Sequence, residues 1–123
     1  ELPEQRLPDA PSEGQIQQAL AKEAALIRAK IPAGAAVIAL CVEGQMLSSE
    51  ALAETLGAFT VSGTSRLALL IGGSCGLDEA LKQEAKLRLS MSKMTFPHHL
   101  ARVMVLEQLY RSLNILAGGK YHK

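Results

Sequence analysis

Leu67-Ala68-Leu69-Leu70-Ile71-Gly72-Gly73-Ser74-Cys75-Gly76-Leu77-Asp78-Glu79 passes from a strand through a glycine turn into a helix. The first five residues are apolar without alternation and too few for a helix, the pattern of a strand buried on both faces. Gly72-Gly73 ends it sharply, and Asp78 and Glu79 place acids where the positive end of a helix dipole favours them. The same pattern occurs upstream, where Val37-Ile38-Ala39-Leu40-Cys41-Val42 is a second apolar run and Ser48 or Ser49 caps a helix expected to run through Leu56. Leu87 to Ser92 reads as a third, weaker strand. Strands alternating with helices predict an α/β fold, a parallel sheet with helices on both faces. Ligands of such sheets gather at the carboxyl ends of the strands. Here those ends are Val42 to Met46, Gly72 to Leu77 and Met91 to Pro97.

Working outward, residues 1–14 hold three of the five prolines and no apolar period, so they read as an extended or mobile loop. Ser12 with Gln15 forms a capping-box signature, and Ile16, Leu20, Ile27 and Ile31 share one face of a helix expected over 13–30. Pro32 and Gly34 stop it. At the other end, a long helix is expected from His98 to Leu116, closed by Gly118 and Gly119. It carries Leu100, Val103, Met104, Val105, Leu106, Leu109, Tyr110 and Leu113, more apolar circumference than one packing face requires. A subunit interface is the expected second side, and a two-fold dimer the commonest assembly.

The 123 residues fit one domain, 1–123, able to bury about two-thirds of its unfolded surface. Aromatics make up 3% and Trp is absent, so the core must be built from Ala, Leu, Ile, Val and Met. An apolar fraction of 48% argues against disorder, and no apolar run is long enough to span a membrane, so a soluble protein is expected. Cys41 and Cys75 form no C-x-x-C pair, which indicates neither a metal site nor a disulfide and points to a reducing cytoplasm. No signal peptide is visible, and a chain opening on Glu1 rather than Met is read with an N-terminal portion missing.

The net charge of +1 conceals an asymmetry. Residues 82–123 hold eight Lys or Arg (Lys82, Lys86, Arg88, Lys93, Arg102, Arg111, Lys120, Lys123) against two acids, whereas residues 1–81 hold five against ten. Clustered cations at one end suit a polyanion such as RNA. Arg102 and Arg111 alternate with Tyr110, Tyr121 and His122, planar groups able to stack on an exposed base; the bland alternative for each cation is a solvated helix face. The Gly72-Gly73-Ser74-Cys75-Gly76 loop is either a tight turn or a nucleotide-binding loop, since it matches neither a Walker loop nor G-x-G-x-x-G. His98 and His99 open the last helix without an acid at metal-ligand spacing, which favours surface or capping roles. Ser74, Cys75 and His98 lack any hydrolase signature and are not read as a nucleophile and base.

Taken in order, Val37 to Glu50, Leu70 to Leu77, Leu89 to His98, Glu107-Gln108-Leu109-Tyr110-Arg111 and the terminal Tyr121-His122-Lys123 resemble the ribosomal large-subunit pseudouridine N3-methyltransferase family of the SPOUT superfamily. The resemblance covers residues 37–123; residues 1–36 match only in general character, and the family's N-terminal strand and helix are absent from this chain. It implies a C-terminal trefoil knot, a rare exception to ordinary topology. It further implies S-adenosylmethionine bound in the knot, a homodimer, no metal, and methylation of a pseudouridine in helix 69 of 23S ribosomal RNA, on the assembled ribosome. By matching motif, the implied cofactor contacts are Leu40, Gly72, Met91, Ser92, Lys93, Met94, Thr95 and Phe96. The implied catalytic residues are Arg111, as anion stabiliser or phosphate anchor, and the tail Tyr121, His122 and Lys123, which would complete the neighbouring subunit's site with His122 as candidate base. Two other functions stay open: a non-catalytic dimeric RNA-binding or ribosome-associated protein, and a SPOUT methyltransferase acting on transfer RNA.

Overall fold

A computed structural model describes residues 12–64, 66–72 and 76–118. The elements run α1 (Glu13–Lys30), β1 (Ala36–Met46), α2 (Ser49–Val61), β2 (Leu67–Ile71), α3 (Glu79–Glu84), β3 (Leu87–Ser90) and α4 (His98–Leu116). The three strands form one sheet in the order β2-β1-β3, parallel throughout. The central position of β1 explains its unbroken apolar character: Ala36, Ile38 and Ala39 are fully buried.

Alternation along the strands divides the core into two layers. Ile38, Leu87 and Leu89 face α2 and α4 and pack with Leu52, Leu56 and Val105. Ala39 and Leu70 face the other way, towards Ala24 of α1 and Leu77 and Leu81 around α3. Helices therefore cover both faces, as the run pattern requires. On α1 the fully buried side chains are Ala19 and Ala24, while Ile27 and Ile31 pack at the margin. Small residues let this helix lie close to the sheet.

Local signals place the start of α1 correctly. Ser12 accepts from the Gln15 amide at 3.2 Å and its own amide donates to Gln15 Oε1 at 2.8 Å, a complete capping box. Several boundaries differ from expectation. The second helix continues past Leu56 to Val61, because Gly57 sits inside it beneath Leu116 of α4 instead of ending it. The third has six residues, shorter than the pattern implied. The third strand stops at Ser90, where the Ser90 hydroxyl donates to the Ser92 carbonyl at 2.9 Å and the Met94 amide donates to Ser92 Oγ at 3.0 Å, turning the chain away from the sheet.

The largest departure is in β1. Leu40 and Gln45 both stand opposite Leu89 of β3, so residues 41–44 are an insertion looped out of register. Gly44 makes this possible. A Cβ there would lie 2.7 Å from the Arg88 carbonyl oxygen and 2.9 Å from the Leu89 carbonyl carbon. The strand then re-pairs with β3 and extends to Met46 rather than ending at Val42.

On α4, Ala101, Val105 and Ser112 are buried, while Leu100, Val103, Leu106, Tyr110, Leu113 and Leu116 form an exposed apolar side, Val103 at 65% and Tyr110 at 56%. The expectation of a helix apolar on more than one side holds. The expected loop 1–14 falls largely outside the described residues, as do 73–75 and 119–123, and the knot is not established by those that are described. Among the described residues no helix is long and apolar enough to cross a membrane, and no cluster of His, Cys, Asp and Glu could hold a metal ion.

Candidate cofactor pocket

The carboxyl ends of β2 and β3 and the out-of-register segment of β1 converge on one cavity of about 480 Å³, within the usual range for small-molecule sites. Leu40 to Glu43 supply one wall, Ile71, Gly72, Gly76 and Leu77 a second, and Met91, Ser92 and Met94 to Pro97 a third. The start of α4 closes the base with His98 and Ala101. The neck of the second wall is drawn tight: a Cβ on Gly72 would fall 2.4 Å from the Gly76 carbonyl carbon and 2.5 Å from its oxygen. Only glycine lets the chain fold back here, which brings backbone to the cavity edge.

Of the eight sequence-derived cofactor residues, Leu40, Gly72, Met91, Ser92, Met94, Thr95 and Phe96 line this cavity. Lys93 does not; it is exposed on the outside of the same turn. Arg111 lies elsewhere on α4, ten residues beyond Ala101 and so about 15 Å further along the axis at 1.5 Å per residue. Tyr121, His122 and Lys123 lie outside the described residues, as do Gly73, Ser74 and Cys75 of the glycine loop. A larger groove of about 800 Å³ runs along the free edge of β2, between Leu26, Ile31, Leu67, His99 and Arg102. Despite its size, it draws on only one strand; the convergence of three strands favours the smaller cavity.

The charged residues at the rim of the smaller cavity are Glu43 and Lys82. Lys82 Nζ stands 2.6 Å from Glu43 Oε1 and 3.6 Å from Glu79 Oε2. The hydrogen bond from Lys82 holds the Glu43 carboxyl below its ordinary range. Burial works against the charge on Lys82, yet its hydrogen bond to Glu43 and the surrounding carboxylates prevail and raise its pKa. Beside them, burial and then the Glu43 charge push the Cys41 thiol up, which leaves it a poor nucleophile.

Arg111 is held by a polar chain that spans two helices. Its Nη2 donates to Glu107 Oε1 at 2.7 Å, Gln108 Nε2 donates to Glu107 Oε2 at 3.1 Å, and the Ser49 hydroxyl donates to Gln108 Oε1 at 2.6 Å. The guanidinium is thereby aimed from the side of α4 facing the start of α2. Sequence reading singled out Arg111 but missed Ser49 and Gln108, which are 59 positions apart. It also missed Lys82, whose one local signal is an i, i+3 spacing from Glu79. His98 and His99 lie with ring centroids 4.1 Å apart and planes tilted by 46°, and neither belongs to a group that could hold a metal ion among the described residues.

Residues 1–122 match the family model described as "Predicted SPOUT methyltransferase". The chain belongs to the SPOUT methyltransferase family. As a SPOUT methyltransferase it also has close relatives among well-described proteins, each named "Ribosomal RNA large subunit methyltransferase H". It is 46% identical to that of Moorella thermoacetica, 47% to that of Bifidobacterium adolescentis and 43% to that of Streptococcus equi subsp. zooepidemicus. Each match covers all 123 residues of this SPOUT methyltransferase and 77% of the relative.

Proposed function

We propose that this chain methylates large-subunit ribosomal RNA, using S-adenosylmethionine to modify N3 of a pseudouridine of 23S RNA, on the assembled ribosome in the cytoplasm. The observation that carries the reading is the meeting of all three strands at one cavity lined by seven of the eight residues that the family resemblance implies. Relatives at 42–47% identity over the whole chain, all named as ribosomal RNA large subunit methyltransferases, support the substrate class.

The cavity fits the cofactor. Its apolar walls, Leu40, Ile71, Leu77, Met91 and Phe96, suit an adenine ring, while Gly72, where a Cβ would overlap the Gly76 backbone, lets backbone groups approach the ligand closely. Bound there, S-adenosylmethionine supplies a methyl group on a sulfonium centre open to in-line displacement. The protein's share of the work is positioning the acceptor nitrogen behind that methyl, worth about 7 kcal/mol or more when alignment is good. N3 of a pseudouridine is an imide nitrogen that becomes nucleophilic when its proton leaves. Arg111, oriented by Glu107, stabilises the resulting anion together with Lys123, while His122 takes the proton and Tyr121 stacks on the base.

Because Arg111 lies about 15 Å along α4 from the cavity, the reaction centre draws on a second copy of the chain. The exposed apolar side of α4, with Val103, Leu106, Tyr110 and Leu113, is the surface across which a homodimer forms. In this reading the C-terminal segment forms the family's trefoil knot around the cofactor.

The test is calorimetric titration of the protein with S-adenosylmethionine, with and without ribosomes, followed by mass spectrometry of the RNA. Cofactor binding and a new methyl group on a large-subunit pseudouridine are expected. Binding with methylation of transfer RNA instead would move the substrate, and no binding under either condition would leave a non-catalytic RNA-binding module.

A further inference from the structure

Two walls of the cofactor cavity come from different strands and are joined by one ion pair. The first wall is the looped-out segment 41–44, which falls in the register shift between Leu40 and Gln45, so the regular β1–β3 register does not define its position. Its backbone anchor, Gly44 against Arg88 and Leu89, sits at the end remote from Leu40. The second wall runs through Gly72 and Leu77 into α3, and from α3 Lys82 reaches across to Glu43 at 2.6 Å.

We infer that Lys82, acting through Glu43, is a positioning residue that clamps segment 41–44 against α3 and so sets the width of the cofactor cavity. The distances select the partner, since Lys82 stands 3.6 Å from Glu79 on its own helix and a full ångström closer to Glu43. Burial makes the clamp more than a surface pair. The Lys82 side chain retains 15% of its exposure, and an ammonium so covered keeps its charge only beside a carboxylate. Glu43, with its side chain 55% exposed, belongs to the out-of-register segment, so the pair ties that segment to α3. Both residues line the cavity, so a shift of either moves a wall.

The inference rests on the methyltransferase reading, and the experiment separates the two. S-adenosylhomocysteine binding is measured by calorimetry for the wild type, Lys82→Met, Glu43→Gln, Glu79→Gln and the exchanged pair Glu43→Lys/Lys82→Glu. Each of the first two substitutions weakens binding by about fivefold, the scale of a partly buried ion pair. Glu79→Gln leaves affinity unchanged, and the exchanged pair regains affinity to within about twofold of wild type. Raising the salt concentration weakens wild-type binding and leaves Lys82→Met unaffected. Should Lys82→Met fail to fold, the isosteric change at exposed Glu43 carries the test. An exchanged pair no better than the single variants overturns the clamp, because Glu43 would then be touching the ligand itself; single variants that bind like wild type overturn it as well. A wild-type protein that does not bind S-adenosylhomocysteine removes the methyltransferase reading, and the clamp with it.

Discussion

Replacing Gly44 by Ala tests the backbone crossing that shapes the cavity. The added Cβ would stand 2.7 Å from the Arg88 oxygen, 2.8 Å from the Arg88 carbonyl carbon and 2.9 Å from the Leu89 carbonyl carbon, where ordinary contact begins at 3.4 Å. All three atoms are main chain, so no rotamer change relieves the overlap. Gly44 is not among the glycines with positive φ, so the penalty arises from the contact and not from backbone conformation. Either β3 or the looped-out segment must move by about 0.7 Å, an overpacking cost of about 1–3 kcal/mol. For a chain of this length about 4 °C is lost per kcal/mol, so the melting temperature falls by about 4–12 °C. Because β3 leads directly into Met91 to Phe96, affinity for S-adenosylhomocysteine falls in the same variant. Thermal denaturation followed by circular dichroism, paired with calorimetry, measures both. A melting temperature within about 1 °C of wild type would refute the close approach of β1 to β3.

Ser112→Ala should raise stability by about 1 kcal/mol in urea denaturation, because the Ser112 hydroxyl is fully buried on α4 and has no hydrogen-bond partner among the described residues. Ser12→Ala should lower it by about 1 kcal/mol by removing the capping box of α1. The Glu43 carboxyl lies below its ordinary value of 4.5 when folded, so the stability it contributes is present above that value and lost as pH falls through the depressed one. Lys82 lies above 10.5 when folded, so its contribution is complete below that value and lost as pH rises through the raised one. Glu43→Gln should therefore destabilise the protein at neutral pH, and the difference should vanish in acid denaturation series below the depressed pKa. Leu113→Glu places a charge on the exposed apolar side of α4 and should shift the protein towards monomer in sedimentation velocity while cofactor binding persists; an unchanged sedimentation coefficient would place any dimer contact elsewhere.

What was legible in the chain follows the range of the interactions. The start of α1 depends on Ser12 and Gln15, three residues apart, and was read correctly together with the end of the helix. The three strands were legible because apolar runs between turn residues have few other solutions, but burial on both faces holds only for the first half of central β1; β2 lies at the edge of the described sheet, with Leu70 buried and Leu67 exposed. The cavity was legible in outline, since parallel sheets present ligands at strand ends and the family motifs fell at those ends. The boundaries that failed were the ones decided elsewhere in the fold: α2 continues through Gly57 because Leu116 of α4 covers it, and β1 continues past Val42 because β3 takes it up again at Gln45. Lys93 looked equivalent to its neighbours in the Met91 to Phe96 turn, yet Ser92, Met94 and Thr95 line the cavity and Lys93 does not.

The sequence by itself determined the α/β class, the order of the elements, the cap of α1 and the family, because these follow from local periodicity, neighbouring residues and ordered motifs. Tertiary structure alone decided the looped-out segment 41–44, the Glu43–Lys82 pair and the brace from Ser49 to Arg111. Each joins residues far apart along the chain, 39 positions for the ion pair and 59 for Ser49 with Gln108. No local pattern encodes such a pairing; it exists only when parallel strands and their covering helices have brought the groups within hydrogen-bonding reach.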